Sequence, residues 1–288
     1  MTHTRTTSTR TTGTCTLGEM MIGAIARTIE DGTLAFHGYG SPLVQLALHV
    51  AKRTHAPNLV LVAGATYAVD PTPPFLSPTS NDWVMDRGAA LSLDIEELFD
   101  LAAAGRMGRM FLSGLQIDRW GGCNVTSLGR DKLAMKLPGG GGGCNLSCDV
   151  DRVTLWTTGH GSAPDASGRR RHRLVEACDF VTSLGHRGVD GRDRRALGHR
   201  GRGPQWIVTD LGVFDFDAEG HARLCAVHPD VSIDDVRANT GFELRLADTV
   251  AQVPPPDRDT LALIRRLDPL NVHEHEIQAR DRDRRFDA

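Results

Sequence analysis

The densest chemical signal in the chain is Pro138-Gly-Gly-Gly-Gly-Gly143-Cys-Asn145, a run of five glycines closed by two polar residues. Ordering glycine costs roughly 0.5–1 kcal/mol per residue relative to alanine in regular structure. That cost is tolerated where backbone must approach a ligand closely, or where successive N–H groups converge on an oxyanion. Gly140, Gly141, Gly142 and Gly143 are therefore candidate amide donors to a developing negative charge, with Asn145 a candidate contact beside them. The rival reading is a floppy surface linker. A P-loop does not fit, because no Lys-Ser/Thr follows the run, and a dinucleotide fingerprint does not fit, because no clear amphipathic helix follows.

Other reactive residue types are scattered. The six cysteines are too sparse for a disulfide scaffold and read as small reduced thiols; Cys144 and Cys148 alone make a weak metal signal. His273-Glu-His-Glu-Ile277 has metal-binding residue types but no further ligand in a defined scaffold, so no metal is expected.

Alternating strand and helix patterns must position these residues. Thr16-Leu-Gly-Glu19 has the capping-box form, and Leu17, Met20, Met21, Ala24 and Ile25 follow a helical stripe ended by Asp31-Gly32. Thr33 to Phe36 is a short strand, His37-Gly-Tyr-Gly40 a turn, and Ser41-Pro42 opens a second helix. Leu59 to Val62 is a continuous apolar run, the pattern of a strand buried on both faces of a parallel sheet. Further strands are expected at Arg109–Leu112, Val153–Thr157, Phe180–Thr182 and Trp206–Thr209, with a hairpin from Val213–Phe216 and Arg223–Val227. Short helices follow at Ser232–Ala238 and around Asp257–Arg266. This is an α/β fold: an open, mainly parallel sheet flanked by helices. Residues 1–14 read as a disordered tail, 15–270 as the folded domain and 271–288 as a charged tail, solvated or docked on a partner.

Across 288 residues, 33 Lys+Arg against 36 Asp+Glu leave a net charge of −3, without the basic footprint of a nucleic-acid binder. No apolar run approaches the ~20 residues that cross a bilayer, and the N-terminal stretch lacks the apolar core of a secretory signal, so a cytoplasmic protein is expected.

Several ordered motifs then carry a resemblance. Ser113-Gly-Leu-Gln-Ile-Asp-Arg-Trp-Gly121, Asn124, Lys136-Leu-Pro-Gly139 and the glycine run are similar to the β subunit of class I coenzyme A transferases. The likeness continues through Asp179-Phe-Val-Thr-Ser183, Gly203-Pro-Gln-Trp-Ile-Val-Thr-Asp210, His228-Pro229 and Asn239-Thr-Gly-Phe242. It implies an α/β subunit that pairs with a separate α subunit, as heterodimer or heterotetramer, with the active site between them. It also implies acyl-CoA as substrate and no permanently bound cofactor. The glycine loop would then supply oxyanion stabilisation, and His37, Gly38, Tyr39 and Gly40 would line the pocket, with His37 an acid/base or CoA-phosphate contact. Tyr39 and Tyr67 fall near this site, Tyr67 as a catalytic candidate; Ala63, Gly64 and Gln116 are candidate contacts to substrate or CoA, and Gln116 and Asp118 also read as braces of the loop below it. His160 and Arg169-Arg-Arg-His-Arg173 read as a solvated face, or as a contact to CoA phosphate or the partner.

One departure bears on the chemistry. In the family a β-subunit glutamate attacks the thioester from the end of the strand matching Leu59–Val62. Here that position is Ala63, followed by Gly64, and no glutamate lies between Glu30 and Glu96. A methyl group cannot be a nucleophile. Hydrolysis or retro-Claisen cleavage, known among family members that lack this glutamate, is then expected over CoA transfer. The alternatives are a transferase whose nucleophile has moved, to Asp70 for instance, or a non-catalytic structural subunit.

Overall fold

The computed structural model describes residues 13–288. Ten strands form the main sheet: β1 (Leu34–His37), β2 (Val60–Val62), β3 (Ala68–Val69), β4 (Leu91–Ser92), β5 (Arg109–Ser113), β6 (Arg152–Thr157), β7 (Gly203–Thr209), β8 (Gly212–Phe216), β9 (Ala222–Val227) and β10 (Arg245–Gln252). Their spatial order is β10-β9-β8-β7-β6-β5-β1-β2-β3-β4. The centre is parallel, with β2, β1, β5, β6 and β7 running side by side, as the apolar run at Leu59–Val62 requires. The β8–β9 hairpin is antiparallel, with Val213 opposite Ala226.

Helices cover both faces. Helices α1 (Leu17–Ala26), α2 (Pro42–Arg53) and α6 (Arg258–Leu267) pack on one, and their buried Met20, Ile25, Leu46, Val50 and Ile264 form one core. On the other, α3 (Ile95–Ala103), α4 (Gly143–Asp149) and α5 (Ile233–Asn239) bury Leu98, Leu146 and Val236 in a second core with Phe36, Val62 and Met110. The capping box forms as expected: Thr16 Oγ1 accepts from Glu19 N–H, and the Glu19 carboxylate accepts from Thr16 N–H. Arg265 pairs with that fully buried carboxylate at 2.8 Å.

Three expectations are corrected. Helix α1 stops at Ala26, where Thr28 Oγ1 donates to the Ile25 carbonyl, well before Asp31-Gly32. Phe180–Thr182 is no strand: the Thr182 and Ser183 amides both donate to the Cys123 carbonyl, while Leu174–Val175 takes the place in a small four-stranded sheet. A helix, α4, does follow the glycine run.

The charged C-terminal segment docks on its own chain. Its large apolar residues, Val272, Ile277 and Phe286, are buried, and Arg285–Asp287 pairs antiparallel with Thr14–Thr16. Thr14, placed in the expected tail, is thus strand; the rest of that tail up to residue 12 lies outside the described residues. Asp268 pins the segment. Its carboxylate accepts the Val272 and His273 amides and meets His273 Nδ1 at 2.5 Å, with both side chains fully buried. The His273 ring lies against helix α1, where a Cβ at Gly18 would stand 2.6 Å from it.

Burial alone would lower the His273 pKa, but Asp268 and Glu274 raise it to about 9. The folded value exceeds the ordinary ~6.5, so the stabilisation is complete below about pH 6.5 and is lost as pH climbs through about 9. Breaking such a pair costs on the order of 3–5 kcal/mol. His273→Gln should therefore lower the melting temperature most near pH 6, and the gap to wild type should close towards pH 9. Calorimetry across that range would show a pH-independent gap if the imidazolium contributes nothing.

Candidate functional site

The carboxyl ends of the parallel strands gather His37, Ala63, Ser113, Thr157 and Thr209 along one edge of the sheet, where open α/β sheets bind ligands. His37, the last residue of β1, is 2 % exposed. Its Nδ1–H donates to the Gly38 carbonyl at 2.9 Å and its Nε2 accepts from Gly64 N–H at 3.2 Å. Burial lowers its pKa to about 4, so the ring is neutral. Both nitrogens are spent on backbone, and His37 ties the β1 and β2 loops together in place of the acid–base role expected of it.

Gly64 completes that tie. A Cβ there would lie 2.0 Å from the His37 carbonyl oxygen and 2.7 Å from Gly38, both backbone. Ala63, buried beside it, closes a tight turn: its N–H donates to the Ala68 carbonyl and its own carbonyl accepts from Tyr67 N–H, each at 2.9 Å. Tyr67 adopts φ +56°, and its ring packs on the second core. Tyr39, by contrast, projects from the Gly38–Gly40 turn and is 66 % exposed. Asp70 is engaged elsewhere: Oδ1 contacts Lys52 Nζ at 2.9 Å and the Leu61 amide at 2.8 Å.

The glycine run lies on the α3/α4 face. Each of its residues has a local constraint. Gly139 and Gly141 have φ of +94° and +49°. A Cβ at Gly140 would stand 2.6 Å from Thr182 Cγ2, and one at Gly142 2.8 Å from Phe99 Cζ. Gly143 faces Leu112 of β5, and its N–H donates to the Gly140 carbonyl at 2.8 Å, which removes it from the expected set of amide donors. Asn145 sits exposed in the first turn of α4.

Gln116 Oε1 accepts from Asn124 Nδ2 at 2.7 Å and Asp179 N–H at 3.0 Å. Asp118 accepts the Trp120 and Gly122 amides, although burial raises its pKa to about 6. His160 is not solvated: it is fully buried between Thr209 and Thr240, at 3.0 and 3.1 Å.

A cavity of about 320 Å³ opens at the carboxyl edge beyond β5 and β6, lined by Ser113, Gly114, Val125, Thr158, Arg173 and Glu276 among others. Val125 joins it to the glycine run, since its carbonyl accepts Gly139 N–H at 2.8 Å. In the sequence Arg173 belongs to a run read as a solvated face or as a contact to CoA phosphate or the partner, and Glu276 falls within a weak metal-like motif that gave no sign of this cavity. A larger cleft of about 890 Å³ is lined by Arg119, Trp120, Phe180 and Arg187 among others. Among the described residues no cluster of three or more His, Cys, Asp or Glu could hold a metal, and no helix is long and apolar enough to cross a membrane.

The sequence is 30 % identical to the β subunit of 3-oxoadipate CoA-transferase of Pseudomonas knackmussii over 261 residues, 89 % of this chain and 95 % of that one. The chain belongs to the CoA-transferase β-subunit family. The β subunit of glutaconate CoA-transferase of Acidaminococcus fermentans is 31 % identical, covering 87 % of this chain and 92 % of its own. The cholesterol ring-cleaving hydrolase IpdB subunit of Mycobacterium tuberculosis is 28 % identical, covering 83 % and 90 %. Among solved structures, the decarboxylase AibA/AibB superimposes with a TM-score of 0.76 at 31 % identity, over 92 % of this chain and 99 % of that one. Glutaconate CoA-transferase of A. fermentans gives 0.74 at 28 % identity, over 92 % and 98 %. No protein-family model matches the chain. This CoA-transferase-family subunit thus has transferases, a hydrolase and a decarboxylase among its relatives.

The Gly64 approach is testable. Backbone cannot move aside as a side chain can, and overpacking of this kind costs about 1–3 kcal/mol or more. Gly64→Ala should lower the melting temperature and, in the ring nitrogen NMR spectrum, release His37 Nε2 from its hydrogen bond. An unchanged His37 signal would show that the loops are not held this way.

Proposed function

We propose that this chain is the β subunit of a two-subunit enzyme acting on acyl-CoA thioesters, by hydrolysis or retro-Claisen cleavage rather than CoA transfer. The observation that carries this reading is Ala63 at the end of β2, where the family's nucleophilic glutamate is expected. The nearest carboxylate along the chain, Asp70, offers no replacement there, being committed to Lys52 and the Leu61 amide. Without a carboxylate at this position the two-step covalent route through an acyl–glutamyl anhydride has no starting point. Addition of water to the thioester or to a substrate ketone needs only an oxyanion site and a base. The relatives' names support the two-subunit form, as in AibA/AibB and the β subunits of the transferases. The amides of Gly140, Gly141 and Gly142 are our candidates for the oxyanion site; removing one such donor costs about 10²–10³ in kcat.

A transferase reading keeps one observation in its favour: two relatives at 30 % and 31 % identity bear transferase names. The two separate experimentally. Mixed with its α subunit, the chain should release CoA from an acyl-CoA without a carboxylate acceptor, and neither chain should do so alone. Borohydride trapping and peptide mapping should find no adduct on the Val60–Asp70 segment. Turnover that requires an added carboxylic acid, or a trapped adduct on Asp70, would favour the transferase.

A further inference from the structure

We propose that the Glu276 carboxylate is the general base that activates water against a thioester carbonyl held in the cavity beyond β5 and β6. This rests on the acyl-CoA reading above. Glu276 and Arg173 are the two charged residues among those lining that cavity, with Ser113, Gly114 and Thr158. The carboxylate is held from one side only. Oε2 accepts the Leu43 amide of α2 at 2.8 Å, while Oε1 accepts no hydrogen bond from the described residues. The backbone is fixed as well, because Thr158 Oγ1 donates to the Glu276 carbonyl at 2.6 Å.

The surroundings suit proton transfer near neutral pH. Burial raises the Glu276 pKa to about 7, against the lowering effects of the Leu43 amide and the His273 charge. Arg173 shares the cavity lining with it, the first turn of α2 carries no acidic residue, and Trp156 to Gly159 carry no charge. A base matched to the working pH is the efficient one. In the step, a water oxygen bonds to the acyl carbon while one of its protons passes to Glu276. Collapse of the tetrahedral intermediate breaks the carbon–sulfur bond, and the departing CoA thiolate takes that proton, leaving free acid and CoA.

The competing role is purely structural. Ser41 makes no side-chain bond at the start of α2, so Glu276 also serves that helix as a remote cap. Glutamine separates the two, since its amide oxygen can still accept the Leu43 N–H but cannot take a proton. In the complex with the α subunit, Glu276→Gln should melt with wild type and bind acetyl-CoA equally. It should cut CoA release by about 100-fold or more. Glu276→Ala, which removes the acceptor, should melt lower. In parallel, a water-soluble carbodiimide with glycine ethyl ester should label Glu276 in the wild-type complex, and saturating acetyl-CoA should block labelling there but not at exposed Glu243. Labelling at Glu276 that persists with acetyl-CoA bound, absence of labelling without it, or full turnover by Glu276→Gln would overturn the proposal. If calorimetry finds no acetyl-CoA binding to the complex at all, the acyl-CoA reading fails instead, and this inference with it.

Discussion

The buried contact between Asp268 and His273 is the constraint on which much of this molecule's architecture turns. A carboxylate and an imidazolium, both withdrawn from water, are tolerable only because the carboxylate also receives two backbone amides and the ring packs on Gly18 of α1. That bond turns the chain sharply after α6 and lays the next residues across the carboxyl edge of the sheet. Without it, Glu276 would not reach the start of α2, and Arg285–Asp287 would have no fixed path to Thr14–Thr16.

At the sheet edge the organising principle is backbone proximity. His37 and Gly64 come from neighbouring parallel strands, and the space between their loops is so small that no side chain fits. A neutral imidazole, donating from one nitrogen and accepting at the other, satisfies two backbone groups, the Gly38 carbonyl and the buried Gly64 amide. The site thereby gains a rigid floor. The groups proposed to react come from further afield: a loop of glycines whose shape is set by Phe99 and Thr182, and the segment after α6 that carries Glu276.

This division explains what the sequence disclosed. Period and capping chemistry located α1, α2 and the central strands, because a capping box at Thr16–Glu19 and an apolar run at Leu59–Val62 are local signals. The glycine loop was legible as unusual backbone, but not the reason for each glycine: the Phe99 ring, the Thr182 methyl and the spent Gly143 amide are contacts that no local pattern announces. The end of the chain was misread for a related reason. Charged residues dominate 271–288, and Val272, Ile277 and Phe286 are too far apart to form a periodic stripe, yet each fills a place in the core. His160 shows the same limit. Nothing in its neighbourhood along the chain announces Thr209 and Thr240 as partners.

The pairing of Thr14–Thr16 with Arg285–Asp287 has a consequence in time as well as in space. The segment that caps the first helix is completed by a strand from the far end of the described residues. A ribosome-bound chain therefore carries α1 and its apolar face without that strand until Arg285–Asp287 has been made. Contacts of such sequence separation close slowly, because the loop between them must be gathered first. Until that strand emerges, the methionine-rich face of α1 is a surface in need of shielding during synthesis.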